Sequence, residues 1–418
     1  MYNKTVLENG VRIISENIPH SRTVAVGIWV DAGSRDEHDL NNGCGHFVEH
    51  MLFKGTSSRS VQQIARELDV LGGLSNAFTS RENTCYYATV LDSHLPRVVD
   101  LLTDMFCNSL FDEEEVVRER QVILQEINMA EDMPDDQIHD HFCELLWGLH
   151  PLGKTVLGSR EVVASVTRQK LQEHVQNYYS PERVVIAAAG NVGHEAFVDL
   201  CQQPFKKLTT KSGWQLARKK PTVQKPVQKV FSKPLEQIHA VVGTYGLSNL
   251  DEKRFALILL NIIWGGNMSS RLFQEIREKR GLAYSVYSFA DSFLDSGYLG
   301  VYLGVDRETV NEAFEVIGDQ LGRLREDRVS EQELRDAKDY AKGGLYLSAE
   351  NMEARMTRNA RNEYCFGRYI SIDEVVRALE KVTAGEIRDL ADKLFSRELS
   401  AAVLGPVKHK EINWRPLR

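Results

Sequence analysis

The two halves of the chain carry the same order of predicted elements, at an offset of roughly 210 to 216 positions. Residues 23–30 and 238–245 are both apolar runs typical of buried strands, and each leads toward a helix. The acidic pair Asp36-Glu37 follows the first run, and Asp251-Glu252 follows the second. A repeat of this length predicts two domains of one design, because each half must bury an equivalent core.

A second pair of matching segments ends each half. Thr167 and Thr383 stand where the N-cap of a helix belongs, and each helix precedes a strand, over residues 184–190 and 401–405. Strands and helices alternate irregularly, without the βαβ rhythm of a nucleotide-binding sheet. The predicted fold class is therefore α+β, with two similar α/β sandwich domains.

The boundary between the halves is predicted at a polar, basic and proline-containing segment, residues 211–229. This linker would join a first domain of residues 1–210 to a second domain of residues 230–418. Its basic run could bind a partner, but a solvated connection is the simpler interpretation.

Composition narrows the class of protein. The chain has 418 residues, 42% hydrophobic and 26% charged, which suits two globular domains. Its 51 basic and 59 acidic residues give a net charge of −8, so nucleic-acid binding has no electrostatic support. The six cysteines show no C-x-x-C spacing, which favours reduced thiols. We find no export or transit signal and no membrane-spanning run, since the apolar stretch 255–264 is too short, and we predict a cytoplasmic protein.

The residues that point to chemistry are His46, Glu49 and His50, which form an H-x-x-E-H run, the reverse of the H-E-x-x-H zinc-protease arrangement. Histidines four apart on a helix share one face and can bind one metal ion, while Glu49 lies close to that face. The repeat places Ala256, Leu259 and Leu260 at the same positions of the second half. Burying polar groups without partners costs about 2 to 7 kcal/mol each, so the three polar residues need partners such as a metal ion.

Catalytic zinc normally has three protein ligands, so one more is required. The acidic helix predicted over residues 113–129 offers Glu119 and Glu126, which are seven apart and face the same way. Spacing alone does not choose between them. His139 and His141 are two apart and diverge on a helix, so we interpret them as structural or surface residues.

Residues 43–56, together with 74–84 and 150–153, closely resemble the pitrilysin/insulysin (inverzincin) family of zinc metallopeptidases. Within it they are most similar to the catalytic subunit of mitochondrial processing peptidase and its bacterial homologues, and the similarity covers nearly the whole chain. The resemblance implies one Zn²⁺ per chain. It would be held by His46, His50 and Glu126, with Glu119 behind these ligands and Glu49 as the base for water attack.

The resemblance also assigns residues outside the metal site. Arg277 and Tyr284 match the pair that supplies donors to the developing oxyanion, although Arg271 and Arg280 are rivals on composition. The family's substrate-binding edge strand, to which an extended peptide adds by main-chain hydrogen bonds, matches the segment made of Leu74, Ser75, Asn76, Ala77, Phe78 and Thr79.

The leading hypothesis is therefore a zinc metalloendopeptidase acting on unfolded peptides or presequence-like segments in a cavity enclosed by the two halves. One chain carries both the zinc motif and the Arg/Tyr pair, which favours a self-sufficient protein and a homodimer. Two alternatives stay open: a noncatalytic core or assembly subunit of the same fold, and a different zinc hydrolase.

Overall fold

Two mixed β-sheets, each layered with helices, make up the computed structural model, which describes residues 1–209 and 218–418. Within these residues the strands are β1 (Tyr2–Val6), β2 (Arg12–Asn17), β3 (Thr23–Val30), β4 (Leu74–Thr79), β5 (Thr84–Leu91), β6 (Val184–Gly190), β7 (Gln228–Ser232), β8 (Ile238–Tyr245), β9 (Ala283–Ser292), β10 (Gly297–Val305) and β11 (Ser400–Gly405). The helices are α1 (Cys44–Met51), α2 (Val61–Leu71), α3 (Leu95–Asn108), α4 (Glu113–Asp132), α5 (Pro134–Trp147), α6 (Arg160–Ala164), α7 (Arg168–Tyr178), α8 (His194–Phe205), α9 (Arg254–Trp264), α10 (Val310–Glu326), α11 (Glu331–Ala349), α12 (Met352–Phe366), α13 (Ile372–Lys381) and α14 (Ala384–Phe395).

The strand order shows the internal repeat directly. The first sheet has the order β1-β2-β6-β3-β5-β4 and the second β7-β11-β8-β10-β9. Apart from β1, each strand of the first sheet has a counterpart in the second. Each sheet holds one parallel pair, β2 with β6 and β7 with β11, and its remaining pairs are antiparallel. The predicted fold of two similar α/β sandwich domains is confirmed.

The central strands follow from continuous apolar runs. β6 is buried along its whole length, as expected for a strand covered on both faces. Thr167 and Thr383 cap α7 and α14 by accepting hydrogen bonds from the backbone amides of Lys170 and Glu386, as predicted. No helix in the described part of the chain is long and apolar enough to cross a membrane.

Packing divides the chain into two compact units that do not follow chain order. The first unit contains residues 1–128, 154–219 and 347–370, and the second contains residues 129–153, 220–346 and 371–418. The predicted domains, by contrast, are contiguous. The difference arises because two helices pack on the sheet of the other half of the chain. Helix α5, from the first half, buries its apolar face on the second sheet, and α12, from the second half, buries its apolar face on the first sheet.

Helix α12 covers one face of the first sheet. Its residues Met356 and Ala360 are buried with Trp29 and Val185. The helix approaches so closely that a Cβ added at Gly27 would lie 2.8 Å from Met356 Sδ. Helix α5 covers the second sheet in the same way, with Phe142 and Trp147 among its buried residues. The opposite face of each sheet packs on the helices of the main cores, which is why the central strands β3, β6 and β10 are buried on both faces.

The predicted linker is only partly described. Its residues 211–217 lie outside the described residues, and Gln228 and Lys229 belong to β7. Arg218, expected to be solvated, is instead engaged by the first unit. Its guanidinium donates to Asp31 at 2.8 Å and to Asp36 at 2.7 Å.

Candidate active site

Helix α1 presents the predicted metal residues on one face and packs its other face into the core. Its core side consists of Phe47, Val48 and Met51, all fully buried. Cys44, also fully buried, packs in this core. The helix is therefore held rigidly by its apolar residues, which leaves His46 and His50 to project together, four residues apart.

The structure brings His46, His50 and Glu126 together. The Nε2 atoms of the two histidines are 3.3 Å apart, and Glu126 Oε2 lies 3.7 Å from His46 Nε2 and 3.5 Å from His50 Nε2. Tetrahedral zinc with bonds of about 2.0 to 2.2 Å places its ligand atoms roughly 3.3 to 3.6 Å apart. Within residues 1–209 and 218–418, these are the one group of three or more such side chains close enough to hold a metal ion. The residues fit zinc in number, type and spacing.

Glu119 lies behind His50. The Nδ1 atom of His50 donates to Glu119 Oε1 at 2.8 Å, which directs Nε2 toward Glu126 and His46. Lys54 Nζ contacts the other carboxylate oxygen at 2.7 Å. Burial raises the pKa of Glu119, but the hydrogen bonds from His50 and Lys54 outweigh it and hold the pKa below its usual value. A charged carboxylate in this position fixes the tautomer of a metal-binding histidine.

His46 is the most buried of the three candidate ligands. Burial, together with the neighbouring His50, lowers its pKa to about 3. The imidazole is therefore neutral near pH 7, which is the form that binds a metal ion. Its Nδ1 atom is buried and has no hydrogen-bond partner within the residues that the structure describes.

Glu49 is half-buried beside this group and faces the end of β4. Its Oε2 accepts a hydrogen bond from the Thr79 hydroxyl at 2.6 Å. Burial raises the pKa of Glu49, and the hydrogen bond from Thr79 partly opposes this effect. A raised pKa suits a carboxylate that must accept a proton near neutral pH.

Strand β4 is an edge strand, as predicted. It pairs only with β5 within the sheet, from Leu74 opposite Thr89 to Thr79 opposite Thr84. Leu74 is 75% exposed. Its free side therefore offers unpaired backbone groups to an incoming chain.

Glu37 was missed by the sequence reasoning. Its carboxylate accepts hydrogen bonds from the backbone amides of Gly43 and Gly45, at 2.7 and 2.6 Å, at the start of α1. Asn42 donates a third, at 3.2 Å. Burial raises the pKa of Glu37 to about 7, against the lowering effect of these donors. The sequence feature that could have indicated Glu37 is an acidic residue shortly before the glycine-rich start of a helix, which is a capping arrangement.

Room for this carboxylate depends on glycine. A Cβ at Gly45 would lie 3.1 Å from Glu37 Oε1 and 3.5 Å from His174. Gly43 has a φ of 95°, which a residue with a side chain rarely adopts. Together they let Glu37 reach the first turn of the helix that carries His46.

Arg277 and Tyr284 belong to the second unit. Arg277 lies in the π-helical turn Phe273–Glu278, and its guanidinium stacks over the rings of Phe273 and Tyr284, at 4.9 and 5.1 Å. Tyr284, on β9, is 81% exposed. Stacking by cation–π attraction joins the two side chains into one group.

The rival arginines are engaged elsewhere. Arg271 donates two hydrogen bonds to Glu333, at 2.9 and 3.2 Å, and Arg280 donates to Glu275 at 2.5 Å. Among residues 1–209 and 218–418, Arg277 has only a distant carboxylate, that of Glu278, at 4.0 Å. The geometry therefore favours Arg277 as the arginine able to bind a new anion.

His139 and His141 have structural contacts, in agreement with their interpretation from sequence. His139 lies 3.1 Å from the Tyr287 hydroxyl, through Nε2. His141 stacks on Phe231 with ring centroids 3.8 Å apart. Neither belongs to the metal-binding group of described residues.

Comparison with known proteins shows the family of the chain. Residues 12–160 match the family described as Insulinase (Peptidase family M16), and residues 165–340 match the Peptidase M16 inactive domain. The chain is 41% identical to the uncharacterized zinc protease YmxG of Bacillus subtilis, over 97% of this chain and 98% of that protein. It is 42% identical to an uncharacterized zinc protease of Mycobacterium tuberculosis, over 96% and 93%.

Two solved structures share the fold. A protease from Helicobacter pylori has a TM-score of 0.90 at 20% identity, covering 97% of this chain and 99% of that chain. A Pseudomonas fluorescens protein described as a peptidase M16 inactive domain has a TM-score of 0.88 at 19% identity, covering 97% and 98%. The family resemblance inferred from residues 43–56 is confirmed, and the chain belongs to peptidase family M16, among relatives named as zinc proteases.

Proposed function

We propose that the protein is a zinc-dependent endopeptidase that hydrolyses peptide bonds in unfolded peptides or presequence-like segments, with one zinc ion per chain. The observation that carries this proposal is the group of ligand atoms 3.3 to 3.7 Å apart on α1 and α4. A carboxylate base, Glu49, lies beside it.

His46, His50 and Glu126 would hold the ion, and Glu119 would orient His50. Bound zinc supplies Lewis-acid chemistry, which acidifies water and polarises a carbonyl group. Glu49 accepts the proton of the attacking water and then delivers it to the leaving amine. Its half-buried position supports this role, because burial raises its pKa.

We assign stabilisation of the developing oxyanion to Arg277 and Tyr284. Arg277 has no carboxylate closer than 4.0 Å in the described part of the chain, and Tyr284 is exposed, so both can donate to a new acceptor. Donors of this kind contribute about 2.7 to 4 kcal/mol each to transition-state stability.

The substrate class follows from β4. An extended peptide can add to its free edge through main-chain hydrogen bonds, which make little demand on sequence. A folded protein has few free backbone groups to offer. We therefore propose that Leu74 to Thr79 bind unfolded segments.

The test is the substitution Glu49→Gln. We expect the variant to keep its zinc and to lose cleavage of unstructured peptides by a factor of about 100 to 10,000, because the proton acceptor is gone. Zinc is measured by mass spectrometry and cleavage by chromatography, with exposed Glu113→Gln as the control. Equal activity in parent and Glu49→Gln would refute the mechanism, whereas a parent without zinc or activity would favour the noncatalytic assembly subunit.

The homodimer and the cytoplasmic location predicted from the sequence remain part of the proposal. Light scattering of the purified protein measures the first, and cell fractionation the second. A monomer that cleaves peptides at full rate would contradict the predicted homodimer.

A further inference from the structure

Thr79 joins the proposed substrate strand to the proposed base. It is the last residue of β4, and its hydroxyl donates to Glu49 Oε2 at 2.6 Å. The hydroxyl of Thr84, opposite Thr79 in the register, lies nearer to Ala32 O, at 3.1 Å, than to the Thr79 hydroxyl, at 3.5 Å. A threonine hydroxyl has one proton to donate, and Thr79 directs its proton to Glu49.

The register shows which backbone groups of β4 face its free edge. The amide of Ser80 donates to Asn83 O at 2.7 Å, so these two residues form a hydrogen-bonded pair. Hydrogen-bonded and non-hydrogen-bonded pairs alternate along an antiparallel ladder. Thr79 and Thr84 therefore form a non-hydrogen-bonded pair, and the backbone N–H and C=O groups of Thr79 point toward the free edge of β4. The same holds for the backbone groups of Ala77 and Ser75.

The free edge consequently carries the backbone groups of Ser75 and Ala77, followed by those of Thr79. The Ala77 amide donates to Asn76 Oδ1 at 2.9 Å, and an added strand would replace this bond. The backbone amide of Thr79, in addition to its hydroxyl, donates a hydrogen bond to the Glu49 carboxylate. A peptide that pairs with Ser75 and Ala77 reaches the level of Thr79 two residues further on, roughly 7 Å along the strand. At that point the added strand meets the residue that holds the base.

We propose that Thr79 is a positioning residue, which fixes the Glu49 carboxylate and links its orientation to the docking of an extended peptide on Ser75 and Ala77. This inference rests on the proposed peptidase function. Thr79 itself need not touch the reacting atoms. Strand addition orders the end of β4, and ordered β4 holds Glu49 in its hydrogen bond.

The test compares Thr79→Val, which removes the hydroxyl at nearly constant shape, with Thr79→Ser, which keeps it. The matched control is Thr89→Val, because the Thr89 hydroxyl is buried at the other end of the same hairpin without a hydrogen-bond partner among the described residues. Each zinc-loaded protein is assayed for zinc content, for kcat and KM with an unstructured peptide of about twelve residues, and for binding of that peptide by fluorescence anisotropy.

We expect Thr79→Val to lower kcat by roughly 10- to 100-fold, as misplacement of a catalytic group does. Zinc content should not change, and KM and Kd should stay within about threefold, since the backbone groups of Ser75 and Ala77 remain. Thr79→Ser and Thr89→Val should keep kcat within about threefold of the parent, because the first retains a donor and the second removes none that is used.

Peptide length distinguishes two roles for Thr79: holding Glu49 whether or not a peptide is docked, and holding Glu49 in a way that depends on peptide docking. With peptides of about four residues, too short to pair with both Ser75 and Ala77 and still extend to the level of Thr79, the loss caused by Thr79→Val should shrink to under about threefold. An equal loss with long and short peptides, or no loss at all, would overturn the inference while leaving the peptidase intact. A parent that cleaves neither peptide would overturn the proposed function and this inference with it.

Discussion

Helices α1 and α9 occupy equivalent positions in the two halves of the chain, but the surroundings of their equivalent residues differ. In α9 the three positions that match the metal motif are Ala256, Leu259 and Leu260, and all are buried. In α1 they are His46, Glu49 and His50, and polar groups from α4 and β4 surround them. The same helix position can therefore serve a core or a metal site. The choice depends on whether neighbouring elements supply polar partners, because unpartnered polar groups are costly to bury.

The starts of the two helices differ in the same sense. Glu37 is buried and accepts three hydrogen bonds before α1. Glu252, its counterpart in the repeat, is exposed. The half with the candidate metal site thus fixes its helix through a buried carboxylate. At the start of α9 the partly buried Asp251 instead accepts a hydrogen bond from the Lys253 amide, at 2.8 Å.

The variant expected to have the largest effect is His50→Leu, which places in α1 the residue found at the equivalent position of α9. We expect zinc affinity to fall more than 100-fold and cleavage to reach background, since loss of a direct ligand exceeds the 10- to 100-fold cost of losing an outer partner. The fold should survive, because α1 keeps its buried apolar face. Zinc titration and circular dichroism measure the two effects. Exposed His20→Leu is the control, and full zinc occupancy in His50→Leu would contradict the assignment.

The contribution of the second unit is tested by Arg277→Ala. Loss of an oxyanion donor should lower kcat by about 100- to 1,000-fold, or roughly 2.7 to 4 kcal/mol. Zinc content should be unchanged, because Arg277 lies in the unit without metal ligands. Arg280→Ala, whose parent side chain is paired with Glu275, is the matched control and should stay within about threefold. Similar losses in both variants would mean that Arg277 has no special role.

The smallest effect concerns Glu37. Its pKa is about 7 in the folded protein, against an ordinary value of 4.5, so the folded state binds this proton more readily than the unfolded state does. Its contribution is therefore most favourable below about pH 4.5 and is lost as pH rises to about 7. Ionisation of Glu37 should therefore lower the free energy of unfolding of the parent between pH 5 and pH 8. In Glu37→Gln this decrease should be smaller by on the order of 2 kcal/mol.

Urea unfolding in the presence of a chelator measures this difference without a contribution from metal binding. Glu252→Gln, at the exposed position of the second half, should leave the pH dependence unchanged. A parent and Glu37→Gln with parallel pH profiles would show that the buried carboxylate titrates normally.

Much of this architecture could be predicted from the sequence, because local signals specify it. The apolar runs of β3, β6 and β8 end at the predicted residues, and α4 extends only three residues beyond its predicted end. The helix period also brought His46 and His50 to one face. Spacing could not choose between Glu119 and Glu126. The distances do, since Glu126 approaches both Nε2 atoms while Glu119 binds Nδ1 of His50.

What the sequence could not predict depends on contacts between distant segments. The hydrogen bond from Thr79 to Glu49 spans 30 residues, and the bond from Gly45 to Glu37 requires a loop to fold back on its helix. An amphipathic pattern shows that α5 and α12 bury one face, but it does not show which sheet receives that face. These features emerge only when the two sheets exchange their covering helices.

That exchange bears on how the protein is made. During synthesis the first sheet is complete once β6 has left the ribosome, but the face occupied by Trp29 and Val185 waits for α12. The intervening stretch of about 160 residues takes roughly 8 to 30 s to translate. An apolar sheet face exposed for that time invites aggregation. Neither half of the gene, expressed alone, would encode a self-contained domain, and ribosome-bound chains ending before Met352 should be the ones that chaperones retain.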